Sequence, residues 1–305
     1  MTRNKHWFVL SVRFLYFHAT LIGPGFLLAM IQNLSYPVHP ALQPFVKSIV
    51  VDAFESDAPD DGYLGMYPPT PQHVILFYLG HTIKARIGQE GSLDPQGRMV
   101  VVGPQIKCVE VTVPRWHRVL VVRFQPGGLF RLLGLPMAEI VDEGVPGADL
   151  LGKQADELLD RLRNIPDNRD ICRHVEIFLL SKAERLMPAL PLDEALNIVW
   201  QRQGNISVDE MASLACLSVR QFERRCLERI GMSPKLYTRI TRFSNAYRLY
   251  EAYPHLSWTD VAHRAGYFDQ MHFIRDFKQF TGATPTAFER TLSTTPVRLQ
   301  ADIKI

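Results

Sequence analysis

Two stretches near the C-terminal end carry side chains suited to reading a nucleic acid. In the first, Arg220, Gln221, Arg224 and Arg225 lie opposite an apolar set formed by Val219, Phe222, Cys226 and Ile230. In the second, Gln270, His272, Arg275, Lys278 and Gln279 lie opposite Phe273, Phe277 and Phe280. That spacing is helical, with one face for the protein core and one for a partner. Arginine can donate two hydrogen bonds to O6 and N7 of guanine, and glutamine can pair with N6 and N7 of adenine. Between the two stretches, from Gly231 to Tyr250, lie Lys235, Arg239, Arg242 and Arg248 and no acidic residue. Basic side chains held along a helix can neutralise phosphates and release their counterions.

Positioning those faces requires short, well-capped helices. Ser207 stands three residues before Glu210, the spacing of a capping box, and Ser257 stands likewise before Asp260. Ser218 and Asp269 are candidate N-caps of the two basic helices, and Ser233-Pro234 opens a further one. Helices are therefore predicted to begin near residues 192, 208, 219, 234, 258, 270 and 285. Twice, the pattern is a short capped helix, a tight turn and a second helix with a polar face. This is the organisation of a helix-turn-helix, whose second helix enters the major groove. Met232, Leu236, Tyr237, Ile240, Phe243 and Ala246, between the two copies, are expected to be core.

Residues 192–292 resemble the DNA-binding domain of the AraC/XylS family of bacterial transcription regulators. The matching residues include Ala212, Leu217-Ser218, Phe222, Arg224, Gly231-Met232-Ser233-Pro234, Tyr237, Arg242 and Ala246-Tyr247-Arg248-Leu249. The densest agreement runs from Val261 to Gln270, then Phe273-Ile274-Arg275-Asp276-Phe277-Lys278 and Gly282-Ala283-Thr284-Pro285. The resemblance implies two helix-turn-helix units joined by one long helix, with Arg220, Arg224, Gln270 and Arg275 at base-reading positions. It also implies double-stranded DNA and RNA polymerase as partners. Two departures stand out: Cys226 replaces an aromatic residue, and Glu289 follows Phe288 where an arginine is common.

The remaining chain has a different character. Of its 305 residues, 47% are hydrophobic and 21% charged, with a net charge of +3, which suits a soluble globular protein and does not by itself identify a nucleic-acid partner. From Tyr36 to about Val145, short β-branched runs alternate with Gly and Pro. They are His73–Leu79, Met99–Val102, Lys107–Val113 and Arg118–Phe124, with a turn expected at Asp94-Pro95-Gln96-Gly97. A sandwich or barrel follows. Two amphipathic helices, Asp149 to Ile165 and Asp170 to Leu186, are expected to form a hairpin packed on it or on a second subunit. Gln125-Pro126-Gly127-Gly128-Leu129 loosely resembles a segment of the sensory domains of such regulators, which implies a cupin-like domain that binds a small effector or dimerises. No effector contact carries over.

Cys108, Cys172, Cys216 and Cys226 form no C-x-x-C pair and no zinc pattern, and His73, His81 and His117 are scattered, so neither metal nor cofactor is expected. Free buried thiols fit a reducing, cytoplasmic compartment. Trp7 to Ile31 is apolar behind Arg3, Lys5 and His6, but Arg13, His18 and Gly23-Pro24-Gly25 interrupt it. It reads as an extension ahead of a start at Met30, as packed structure, or as a membrane contact.

The expected class is thus α+β. An uncertain N-terminal extension covers 1–35. A β-rich, cupin-like regulatory domain with a helical hairpin covers 36–187. An all-α double helix-turn-helix domain covers 188–295, after the Pro188-Ala189-Leu190-Pro191 boundary, and a tail covers 296–305. The expected function is a sequence-specific, effector-responsive transcription activator and not an enzyme. The DNA-contacting set is Arg220, Gln221, Arg224, Arg225, Lys235, Gln270, His272, Arg275 and Lys278. A homodimer stays open, as do a membrane-tethered sensor and a DNA-repair enzyme fused to the same module.

Overall fold

The computed structural model describes residues 28–56, 59, 62–88 and 91–292. The N-terminal half is built of two antiparallel sheets. Six strands, β1 (Leu28–Tyr36), β2 (Val46–Ser56), β9 (Trp116–Phe124), β4 (Val74–Tyr78), β7 (Met99–Val102) and β10 (Gly144–Pro146), lie side by side in that order. The second sheet has the order β3 (Tyr63–Tyr67), β8 (Val109–Val113), β5 (Lys84–Ile87) and β6 (Asp94–Pro95). Strand β9 shows why its sequence reads as a continuous apolar run. Leu120 and Val122 face a core shared with helices, while Val119 and Val121 face the other way with Tyr78 and Val100. A strand covered on both faces has no polar side to alternate with.

The expected strands 73–79, 99–102, 107–113 and 118–124 all appear, trimmed or extended by a few residues. The turn expected at residues 94–97 is different: Asp94 and Pro95 form β6, paired with Lys84 and Ala85 at the sheet edge. Proline lacks an N–H for a second neighbour, so an edge is the position open to it in a sheet. The strand β1 begins inside the segment read as an extension, pairing with β2 from Leu28↔Ser56 to Tyr36↔Ile49. The rest of that apolar segment, residues 7–27, lies outside the described residues.

Helix α1 (Gly128–Leu133), a 3-10 turn (Met137–Ile140), α2 (Gly147–Leu151), α3 (Gln154–Arg163) and α4 (Asn168–Ala183) cover the six-stranded sheet. The single helix expected from Asp149 is two, because Gly152 adopts φ 79°, a left-handed conformation that ends α2. The hairpin packs on its own sheet: Leu158, Leu159 and Leu162 of α3 and Ile171, Val175, Phe178 and Leu179 of α4 join Ile49, Val51, Ile75 and Phe77 in one core.

The C-terminal half is all helical: α5 (Pro191–Gln201), α6 (Val208–Leu214), α7 (Val219–Ile230), α8 (Pro234–Ala252), α9 (Trp258–Arg264), α10 (Gln270–Thr281) and α11 (Pro285–Leu292). Six of the seven start at the residue read from the caps, and α5 starts one earlier. A single core unites them around α8, whose Tyr237, Ile240, Phe243, Ala246 and Tyr247 are buried. Phe243 packs edge-on to Phe277 at 5.5 Å between ring centroids, and Tyr247 meets Phe288 at 6.1 Å. Helix α8 therefore fixes both units to one rod.

Candidate nucleic-acid interface

Each unit is held by its caps. The Ser207 hydroxyl accepts from the Glu210 amide, but the Glu210 carboxylate pairs with Arg202 at 2.5 Å instead of closing the box. Ser257 and Asp260 close theirs, and the Asp260 carboxyl is held below its usual range chiefly by the Ser257 side chain. Ser218 forms a full box with Gln221, whose Oε1 accepts from both the Ser218 amide and hydroxyl. Asp269 caps α10 by accepting from the His272 amide at 2.7 Å and contacts the His272 ring at 2.9 Å. Carboxylates accepting amide hydrogens at a helix start are charge-assisted and strong.

The two turns use the same backbone trick with different residues. Cys216 adopts φ 54° and Gly266 φ 82°. A Cβ on Gly266 would lie 2.6 Å from the Asn205 amide group. Asn205 itself donates to the Ala265 carbonyl at 3.4 Å and accepts from Arg242 Nε at 3.1 Å, so the second turn is stitched to the entrance of the first unit.

Of the residues predicted to face DNA, Arg220, Gln221, Arg224, Lys235, Gln270, His272, Arg275 and Lys278 are exposed. Arg225 is half-buried and pairs with Glu228 at 3.1 Å. The amide oxygen of Gln221 and the ring of His272 are already engaged in capping. Counting from the caps, Arg220, Arg224 and Leu227 occupy the places in α7 that Met271, Arg275 and Lys278 occupy in α10. These positions, at i, i+4 and i+7, form one stripe opposite the buried side. Sequence reasoning looked for polar groups and so passed over Leu227 and Met271, both exposed; heptad counting from the caps would have found them.

The basic run on α8 resolves differently from its sequence reading. Only Lys235 faces solvent freely. Arg239 pairs with Asp276 at 2.6 Å and with Gln279 at 2.5 Å, Arg242 with Asn205 and the Gly204 carbonyl, and Arg248 is 7% exposed with its guanidinium 5.3 Å from the Trp200 ring centre. These three arginines also join helices within the domain, each meeting a fixed acceptor or ring. The two departures lie in defined surroundings. Cys226 is fully buried, and burial pushes its thiol up to about 12. Glu289 accepts from the Tyr250 hydroxyl at 2.8 Å and from Trp258 Nε1 at 3.3 Å, and those rings stack at 3.9 Å.

The end of α7 is buried against the N-terminal half. Arg229 pairs with Asp193 and lies 4.9 Å from the Phe130 ring centre, and a Cβ on Gly231 would strike the Met137 carbonyl at 2.8 Å. His73 contacts the Ile230 backbone, and burial holds its imidazole down at about 4. Beside it, Lys47, Gln72, His73 and Trp200 line a cavity of about 10 Å³, with Lys47 Nζ 3.9 Å from the Trp200 ring centre. Gln72 Nε2, His73 Nε2 and Trp200 Nε1 are buried without a protein partner. Burial and the charges of Arg248 and Arg123 bring the Lys47 amine down to about 8. Burial likewise raises the Cys108 and Cys172 thiols to about 12. Among the described residues, no three His, Cys, Asp or Glu side chains are grouped to hold a metal, and no helix is long and apolar enough to cross a membrane.

A double-sheet domain joined to two helix-turn-helix units on one rod defines a DNA-binding transcription regulator. Residues 211–291 match the family model of a helix-turn-helix domain, and residues 34–146 match a domain of unknown function, DUF6597. The helix-turn-helix match falls within the segment whose motif residues resemble the AraC/XylS family of regulators. No protein with a curated description matches it in sequence. Among solved structures it is similar to an apo variant of ToxT from Vibrio cholerae, at 13% identity and TM-score 0.43 over 79% of this chain and 97% of that one. It is similar to another ToxT crystal form at 11% identity and TM-score 0.44, over 82% of this chain and 100% of that one. It is also similar to the AraC-like transcriptional activator CuxR, at 14% identity and TM-score 0.29, over 74% of this chain and 82% of that one.

Proposed function

We propose that this regulator binds DNA sequence-specifically, with α7 and α10 each lying in the major groove about one helical turn apart, roughly 34 Å. The observation that carries this reading is the pair of exposed stripes, Arg220–Arg224 and Met271–Arg275–Lys278, presented at equivalent positions on two helices packed on one rod. Arg220, Arg224, Gln270 and Arg275 serve as base readers, and Lys235, His272 and Lys278 as flanking contacts. The regulator acts as an activator in the cytoplasm, with RNA polymerase as its protein partner. The N-terminal domain is regulatory; its Cys108 and Cys172 are buried, and burial raises both thiols to about 12, which disfavours them as thiolate nucleophiles. Responsiveness to a small effector rests on the resemblance of Gln125-Pro126-Gly127-Gly128-Leu129 to a segment of the sensory domains of such regulators; the crevice between Lys47, Gln72, His73 and Trp200 has room for about one water molecule.

The test is selection of sites from a pool of random-sequence duplexes by the full chain, followed by titration of the selected site at several salt concentrations. The expected result is one two-part sequence and an affinity that falls steeply with salt. Recovery of no common sequence, or salt-insensitive binding, rejects this function.

A further inference from the structure

The two recognition helices present the same stripe with different chemistry at its leading position. The second residue of α7 is Arg220, and the second residue of α10 is Met271, 67% exposed. One turn further on both helices carry an arginine, Arg224 and Arg275. Phe268, 93% exposed, precedes the cap Asp269 and stands at the entrance of α10, its ring 6.5 Å from that of His272. Burial cannot account for either apolar side chain. Phe273, Phe277 and Phe280 already fill the inward face of α10, and Met271 lies opposite them. The N-terminal residues of a recognition helix are the ones that reach base edges. An apolar group there finds one apolar feature in the major groove, the 5-methyl of thymine. Methionine is unbranched and polarisable, and so follows such a surface closely.

We propose that Met271, with Phe268 beside the same groove, reads the 5-methyl group of thymine, so that the second unit selects an A·T pair at the place where the first, through Arg220, selects a G·C pair. This rests on the DNA-binding function proposed above, and the experiment separates the two. The full chain is titrated against its selected duplex, in which thymines of each half are replaced one at a time by deoxyuridine, which lacks only that methyl. The half read by α10 is the one whose preference is lost in Arg275→Ala. One substitution there should weaken binding about fourfold, the worth of one buried methyl-sized group. That sensitivity should vanish in Met271→Ala and weaken in Phe268→Ala, while deoxyuridine in the Arg220 half has no effect. If no thymine in the α10 half responds, or if Met271→Ala keeps the full sensitivity, the thymine assignment is overturned while DNA binding stands. If the wild-type chain selects no site at all, the function itself is overturned and this inference with it.

Discussion

Arg229, at the end of α7, places Nη1 2.6 Å from both carboxylate oxygens of Asp193 in the first turn of α5, and the two side chains are only 4% and 10% exposed. The same guanidinium donates to the Pro188 carbonyl at 3.2 Å, and Arg131 of α1 donates to Met187 at 3.0 Å. The segment between the halves is thus gripped by one arginine from each side. A buried pair contributes little over an apolar one, but an orphaned partner is costly. Asp193→Ala should lower stability by about 3–5 kcal/mol, read as a drop in the urea midpoint. A double replacement, Asp193→Leu with Arg229→Met, should recover most of the loss. Equal losses in the single and double variants would show that packing, and not charge, dominates there.

Substitution of the two aligned arginines should separate the two half-sites. Arg224→Ala and Arg275→Ala should each weaken specific binding by about 1–3 kcal/mol, with the lost preference in different halves. Lys235→Ala should weaken all sequences about equally and flatten the salt dependence. Titration against single-base variants of the selected site distinguishes these outcomes; retained preference in both arginine variants would make them phosphate contacts.

The turn residues give a stability contrast of opposite sign. Cys216 holds φ 54° with a side chain, which costs roughly 1 kcal/mol or more relative to glycine. Cys216→Gly should add up to about 1 kcal/mol of stability after the added freedom of the unfolded chain is counted, read as a higher thermal midpoint. Gly266→Ala should lower it by more, because the new methyl displaces Asn205 from Arg242 and Ala265. Calorimetry of both variants checks the signs.

The crevice lysine predicts a pH dependence. The Lys47 amine is brought from 10.5 to about 8 in the folded protein, so folded chains release its proton before unfolded ones do. Stability attributable to this side chain is therefore poorest below about pH 8 and improves as pH rises toward 10.5. Lys47→Met should stabilise the protein at pH 7 by of the order of 2 kcal/mol, allowing for partial solvent screening. The difference between variant and wild type should shrink between those two pH values. A difference that stays constant in urea titrations across that window would place the amine in free solvent.

How much of this was legible beforehand depends on the range of the interactions. The C-terminal helices were readable because their starts are local: Ser207, Ser218, Ser233, Ser257 and Asp269 each bond an amide two or three residues away, and apolar residues recur at helical spacing. Both basic faces and the helix-turn-helix architecture follow from that short-range chemistry. Tertiary structure alone decided which cations are free. Nothing in the local sequence distinguishes Lys235 from Arg239, Arg242 and Arg248, since their acceptors and rings, Asp276, Asn205 and Trp200, lie 37, 37 and 48 positions away. The order of strands in the two sheets, the burial of α7's end against the N-terminal half and the Lys47–His73–Trp200 crevice depend likewise on contacts between distant segments. Local propensity and periodicity carry no information about which distant segment comes to lie alongside.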